Sequence, residues 1–391
     1  VGETAGSGVV FAGYGITAPG TGEVPDYDSY EGLDVAGKWV MVLRFQPESV
    51  PPEWRRHLIH NSDLPYKASV ARRNAAAGII VVTGPDAQAY LNRLVTRNVS
   101  KISEKRVGYT VWCDDNGQVL DDGTIFHLAP NDYRICAYAH AIDWFLWSAK
   151  GFDVTVKEES SEVAALAVQG PTSCSVLTAM GLEGMDQLKP FGIEYFDFEG
   201  EQLMVSRTGF TGDLGYELWI APHKAEVLWD RLFEAGEPYI IRPFGTYALE
   251  LARIETGFLQ AGVDFIPAEE AVRVGRSRSP YELGLGWLVD LDKPIFNGRR
   301  ALMKEKAEGS RYRLAVLDVD GNKPAHNSFI LKNGKQVGTV TSAAWCPTAK
   351  SNVAIAQIEM PHGAVGDELV AEIYYQRELH WTKVLAPCKV L

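Results

Sequence analysis

The sequence predicts a multidomain α+β protein that ends in a β-barrel and begins with a small α/β module. Its 391 residues, at about 150 per domain, make two or three domains. Apolar residues are 46% of the chain and charged residues 23%, the balance of a globular protein with buried cores. The pattern of apolar runs changes twice along the chain, which sets boundaries of 1–85, 86–293 and 294–391.

In residues 1–85, short runs such as Val9-Val10-Phe11, Trp39-Val40-Met41-Val42-Leu43 and Gly78-Ile79-Ile80-Val81-Val82 lie between Gly/Pro/Asp-rich turns and read as buried strands. Residues 66–77 are rich in helix formers and stop at Gly78, a C-cap signal. From Pro85 helices alternate with longer strands. Asp86 suits the N-cap of a helix over residues 86–95. Asn116-Gly117 predicts a hairpin between a strand ending at Trp112 and one over residues 124–128. Helices are expected over residues 139–147 and 173–180, and strands over 163–168, 203–206 and 216–220. The last two strands flank Thr208-Gly209-Phe210-Thr211-Gly212-Asp213-Leu214-Gly215, whose glycines permit a close backbone approach. After Pro294, strands near 313–319, 337–341, 353–356 and 369–375 are closely spaced and indicate a barrel or sandwich.

A formal charge of −12 opposes binding to a nucleic-acid backbone, so no nucleic-acid partner is expected. The five cysteines are scattered and form no CxxC pair, which reads as reduced, packed thiols. No apolar run reaches the roughly 18 residues of a membrane helix, and no basic leader opens the chain at Val1. A cytoplasmic protein without a membrane partner is expected, and a segment processed from its front stays open. Gly13-Tyr14-Gly15 lacks the third glycine of a dinucleotide cradle and reads as a turn. His57 and His60 have no carboxylate beside them, so no metal site is expected.

Two acids stand out. In Asp121-Asp122 adjacent strand positions face opposite ways, so one carboxylate can enter a pocket and act as a base or stabilise a developing cation. A turn-capping pair is the competing reading. Glu217 lies on the apolar strand after the Gly-rich loop, where it faces either solvent or a polar ligand; a carboxylate can accept paired hydrogen bonds from an amidine-like edge. The basic stretch Arg273 to Arg278 could meet an anionic tail or be a solvated loop.

From about Thr83 onward these segments resemble the aminomethyltransferase family. That family includes the glycine-cleavage T-protein and tetrahydrofolate-dependent demethylases such as dimethylsulfoniopropionate demethylase. The resemblance rests on Gly117-Gln118-Val119-Leu120-Asp121-Asp122, Val168-Gln169-Gly170-Pro171, the run Thr208 to Glu217, Arg253-Ile254-Glu255-Thr256-Gly257 and Val337-Gly338-Thr339-Val340-Thr341-Ser342. It implies three domains around a folate pocket and an enzyme that moves a methyl or aminomethyl group from a small donor to tetrahydrofolate. By the same resemblance Asp121 is the catalytic aspartate, Glu217 grips the pterin, Tyr109 is a pocket aromatic and Arg253, which matches the arginine of the family's Arg-Leu-Glu-Ala-Gly helix, is a cofactor-binding residue. The arginine that many T-proteins place before that helix to meet folate's carboxylate is not matched, and Tyr247 and Leu249 stand there instead. A demethylase-like role is preferred to glycine cleavage itself, on Trp112-Cys113-Asp114 and an insertion over residues 264–280. Residues 1–85 resemble the protease-associated (PA) domain of secreted zinc aminopeptidases, in place of the family's own N-terminal segment. The rival function is a noncatalytic binding protein with a truncated transferase scaffold.

Overall fold

The computed structural model describes residues 9–11, 17–18, 27–31, 39–41, 78–137, 142–273, 275–377 and 380–391. Gly13-Tyr14-Gly15, His57, His60, the expected helix over 66–77 and the start of that over 139–147 lie outside them. The chain forms two compact units, Val1–Gly78 and Ile79–Leu391.

In the first unit, β1 (Val9–Phe11) and β4 (Trp39–Met41) pair in parallel, and β2 (Thr17–Ala18) pairs antiparallel with β3 (Tyr27–Asp28). The third strand expected there, β5 (Gly78–Thr83), builds the other unit's first sheet. Its residues Ile80 to Thr83 pair with β9 (Thr155–Glu158).

That sheet has the order β6-β7-β8-β5-β9. Its other strands are β6 (Arg106–Cys113), β7 (Val119–Ala129) and β8 (Asp132–Ala137). One face is covered by α1 (Ala87–Leu94) and α2 (Ile142–Ser148), with Tyr90, Leu91, Leu94 and Phe145 buried against Ile80, Val82, Trp112 and Ile125. Asp86 precedes α1, but its carboxylate caps no helical N–H; its Oδ2 accepts the Asp153 N–H at 2.9 Å and ties the helix start to the turn before β9.

The second sheet has the order β10-β13-β12-β11, from β10 (Ala164–Gln169), β11 (Ile193–Phe198), β12 (Glu201–Ser206) and β13 (Gly215–Ile220). Helices α3 (Ser173–Ala179) and α4 (Ala225–Gly236) pack on one face through Val176, Leu177, Leu228 and Leu232. The other face meets the first sheet at Ile79, Val107, Phe126, Ile193, Met204 and Trp219. There the Phe126 and Trp219 rings stand edge to face with centroids 5.2 Å apart, a contact worth about 1 kcal/mol beyond the area it buries.

Helices α5 (Thr246–Thr256) and α6 (Arg299–Glu308) lead to a closed six-stranded barrel. Its strands are β14 (Tyr312–Val319), β15 (Phe329–Lys332), β16 (Lys335–Cys346), β17 (Ser351–Glu359), β18 (Glu368–Arg377) and β19 (His380–Val390), in the order β14-β17-β16-β15-β18-β19. Closure through β14 and β19 leaves no free sheet edge. Ile355 of β17 packs with Val111, Cys113 and Val119 and with Leu259, Ala261 and Phe265, so barrel, first sheet and the loop after α5 share a core. Every cysteine is a free thiol. No helix among the described residues is long and apolar enough to cross a membrane.

Candidate active site

The hairpin signal is met: Asp114 Oδ1 accepts the Asn116 and Gln118 N–H groups, and Gly117 takes φ +74°. Along the β6–β7 ladder Cys113 pairs with Val119 but Trp112 pairs with Asp121, so Leu120 is an extra residue that bulges β7. Paired residues of an antiparallel ladder share a face. Asp121 therefore follows Trp112 toward the core under α1, is 2% exposed, and accepts the Asp122 N–H at 2.8 Å. Asp122 follows Val111 onto the opposite face, which Tyr109 shares.

On that face the Tyr109 hydroxyl donates to Asp122 Oδ2 at 2.6 Å. Burial raises the Asp122 carboxyl from 3.8 to about 6, although the Tyr109 bond pulls the other way, and the charge of Asp264 adds to the rise. The Tyr109 hydroxyl is driven far above its ordinary range, first by burial and then by the Asp122 charge. Asp122, rather than Asp121, is thus the acid on the Tyr109 face. Strict alternation from Val119 would have sent Asp121 to this face; the bulge reverses it.

Glu217 sits on β13 opposite Ser206 and Ala167. Its neighbours Tyr216 and Leu218 point to the helix-covered core, whereas Trp219, two residues on, faces the first sheet. Glu217 therefore faces the first sheet as well. Thr208 Oγ1 donates to Glu217 Oε2 at 2.5 Å, Ser206 and Thr208 hydroxyls are 2.7 Å apart, and Trp219 Nε1 donates to Ser206 Oγ at 3.1 Å. With the Thr208 proton committed to the carboxylate, Ser206 donates to Thr208. A row of three donors then points at one acid. Burial raises the Glu217 carboxyl above its ordinary value, against the Thr208 bond.

Cys136 and Thr124 extend the face of Asp122. Thr124 is paired with both Tyr109 and Cys136, so the three side chains form a row on the face that carries Asp122. Burial pushes the Cys136 thiol up to about 12, and the Glu217 charge contributes to the rise. Asp122 is the diagonal neighbour of Cys136 in this ladder, a separation of roughly 7–8 Å. Asp122, Tyr109, Thr124 and Cys136 thus form one polar strip on the first sheet, and Glu217 stands on the second-sheet face turned toward that sheet.

Arg253 does not join it. It is fully buried, and its guanidinium donates to Asp264 Oδ2 at 2.5 Å, to Ser342 Oγ at 2.8 Å, to the Phe258 carbonyl at 3.2 Å and to Glu250. Asp264 also accepts the Thr341 and Ser342 hydroxyls, each at 2.6 Å. Its Nη1 and Nη2 donors are engaged by α5, the loop after it and the barrel, which sets this expected cofactor-binding residue apart from Asp122 and Glu217. The stretch over 264–280 opens on this buried hub. Arg278 donates Nε to Gln357 Oε1 and stacks on Tyr312, while Arg273 and Arg276 are solvated.

Sequence reasoning did not single out Asp122 as the acid beside Tyr109, nor Asp264 or Gln169. The last lies in Val168-Gln169-Gly170-Pro171, where spacing alone gives it no role of its own. No group of three or more His, Cys, Asp or Glu among the described residues could hold a metal ion.

Comparison with known proteins matches this architecture. The GCVT N-terminal domain model fits residues 35–293 and the glycine cleavage T-protein C-terminal barrel domain fits residues 313–388. The first match begins inside the segment expected to be a separate N-terminal module. An aminomethyltransferase of Caldanaerobacter subterraneus is 32% identical over 353 residues, covering 86% of each chain. One from Lysinibacillus sphaericus is 33% identical over 302 residues, 76% of this chain and 80% of that one. A trimethylamine-oxide aldolase of Ruegeria pomeroyi is 34% identical over 299 residues, which are 73% of this chain and 37% of that protein. The crystal structure of the glycine cleavage system aminomethyltransferase T from Bartonella henselae shares the fold, with a TM-score of 0.69 at 22% identity over 80% of this chain and 82% of that one. By its two domain matches and these relatives, the chain belongs to the aminomethyltransferase (glycine cleavage T-protein) family.

Proposed function

We propose that this protein is an enzyme that transfers a one-carbon unit, methyl or aminomethyl, from a small nitrogen, sulfur or oxygen donor to tetrahydrofolate. The observation that carries the reading is the placement of two partly desolvated acids, Asp122 on the polar strip of the first sheet and Glu217 on the second-sheet face turned toward it, each held by a hydroxyl donor. A buried carboxylate with raised proton affinity suits the paired N–H donors of a pterin edge, and Glu217 keeps Oε1 and a lone pair of Oε2 for them.

We assign Asp122 the role expected of Asp121. Transfer onto a folate nitrogen forms a C–N bond, breaks the donor's bond to carbon, and releases the proton that nitrogen carried. Asp122 is placed to take it: with a pKa of about 6 its carboxylate is ionised about ten to one at pH 7. Tyr109 fixes Oδ2, which assigns the proton to Oδ1. Holding donor and acceptor together in a dry site supplies the remaining acceleration. An N-methylated amine or N-oxide is the donor class preferred here, since one relative is a trimethylamine-oxide aldolase and a cationic donor would find Asp122 across the strip.

A second reading keeps the N-terminal segment as a noncatalytic, PA-like binding module, for which the parallel β1–β4 pairing is the supporting observation. Calorimetric titration with tetrahydrofolate separates the two. The transferase reading expects saturable heat that Glu217→Gln weakens at least tenfold; no heat with the unaltered protein would leave the binding-module reading.

A further inference from the structure

We propose that Gln169, which touches neither reacting carboxylate, is a positioning residue that sets the Glu217 carboxylate for the acceptor's ring by stapling the two ends of the Gly-rich loop. The inference rests on the assignment of Glu217 to the acceptor.

Gln169 ends β10 and is paired with Gly215, the first residue of β13. Its amide Nε2 donates to the carbonyl of Thr208 at 3.3 Å and to that of Tyr216 at 3.2 Å, and its Oε1 accepts the Thr211 hydroxyl at 3.0 Å. Two carbonyl partners on one side and a hydroxyl on the other fix which amide atom is which. Thr208 is the residue whose hydroxyl holds Glu217 Oε2, and Tyr216 is the residue bonded to Glu217 in the chain. One side chain therefore pins the partner of the acid and the backbone that carries it.

The loop is shaped to receive this amide. A Cβ on Gly209 or on Gly215 would lie 2.0 Å from Gln169 Oε1, so the side chain fills a notch that only glycines leave. The Gly170 N–H donates to the Leu214 carbonyl at 2.7 Å and the Thr256 hydroxyl to the Thr211 carbonyl at 3.1 Å, which anchor the rest of the loop independently of Gln169. Loss of the Gln169 amide should therefore loosen the Thr208 and Tyr216 carbonyls without releasing the whole loop.

Gln169→Glu tests this, because it keeps the shape but turns an oxygen toward the two carbonyls in place of the donating NH₂. Gly209→Ala perturbs the same contact from the other side and carries the test if the first variant does not fold. Tetrahydrofolate affinity is measured by calorimetry for the full chain, for each variant, for Glu217→Gln, and for each combined with Glu217→Gln. The positioning role predicts that either variant weakens binding more than tenfold alone but less than twofold once Glu217 is already Gln, since there is no carboxylate left to place. Equal losses in both backgrounds, or wild-type affinity in both folded single variants, would overturn it. If Glu217→Gln itself binds tetrahydrofolate normally, the assignment of Glu217 falls instead, a result distinct from failure of the Gln169 inference.

Discussion

Replacing Asp122 by Asn should stop transfer and stabilise the protein, and the two effects come from one physical cause. Burial on the β7 face raises the carboxyl from 3.8 to about 6, so the ionised form is less favourable in the folded chain than in the unfolded one. At about 1.4 kcal/mol per tenfold change in proton affinity, this makes a cost on the order of 3 kcal/mol above pH 7. An acid with a raised folded pKa favours folding in its neutral form. Its contribution is fully favourable below about pH 4 and is lost as pH rises through about 6. Asn is neutral throughout and still accepts the Tyr109 hydroxyl. Denaturant melts of the two proteins should therefore coincide near pH 4, diverge up to about pH 7 with the variant more stable, and stay parallel above. A variant that melts lower than the parent at pH 8, or that still transfers the one-carbon unit, would refute the reasoning.

Tetrahydrofolate affinity should fall on the acid side, as Glu217 takes up a proton at its raised pKa and loses its capacity as a pure acceptor; a titration series from pH 5 to 8 shows this, and Glu217→Gln should flatten it. Arg253→Met should lower stability by about 3–5 kcal/mol in denaturant melts, because it strands Asp264 as a buried charge. The variant should lose no more affinity for tetrahydrofolate than for an analogue without its glutamate tail. Gly212→Ala should cost roughly 1–2 kcal/mol from its φ of +74° alone, and more from a Cβ placed 2.1 Å from Thr256 Oγ1; Thr256→Ala should recover part of the loss in thermal melts.

Much of the fold was legible because its signals are local. Asn116-Gly117 marked the hairpin, alternating apolar runs marked β12 and β13, and closely spaced strands after Pro294 marked the barrel. The expectation that Asp121 and Asp122 face opposite ways also follows from the pleat. Which of them enters the site depends on one bulged residue, Leu120, whose presence is a property of the paired ladder and not of the β7 sequence. Arg253 looked like a ligand residue because its partners are distant: Asp264 lies 11 residues on and Ser342 lies 89. Gln169 was hidden for the same reason, since its meaning lies in the notch left by Gly209 and Gly215 across the sheet. Strand β5 was assigned to the front module by proximity in sequence, whereas its partners on β9 are 72 to 78 residues away.

The most direct measurement is a crystal structure of the protein with tetrahydrofolate bound. It should show the amidine edge of the pterin within hydrogen-bond distance of the Glu217 carboxylate, and a reactive folate nitrogen beside Asp122 Oδ1 with Tyr109 still on Oδ2. A pterin seated away from Glu217, or a folate nitrogen addressed by any group other than Asp122, would contradict it.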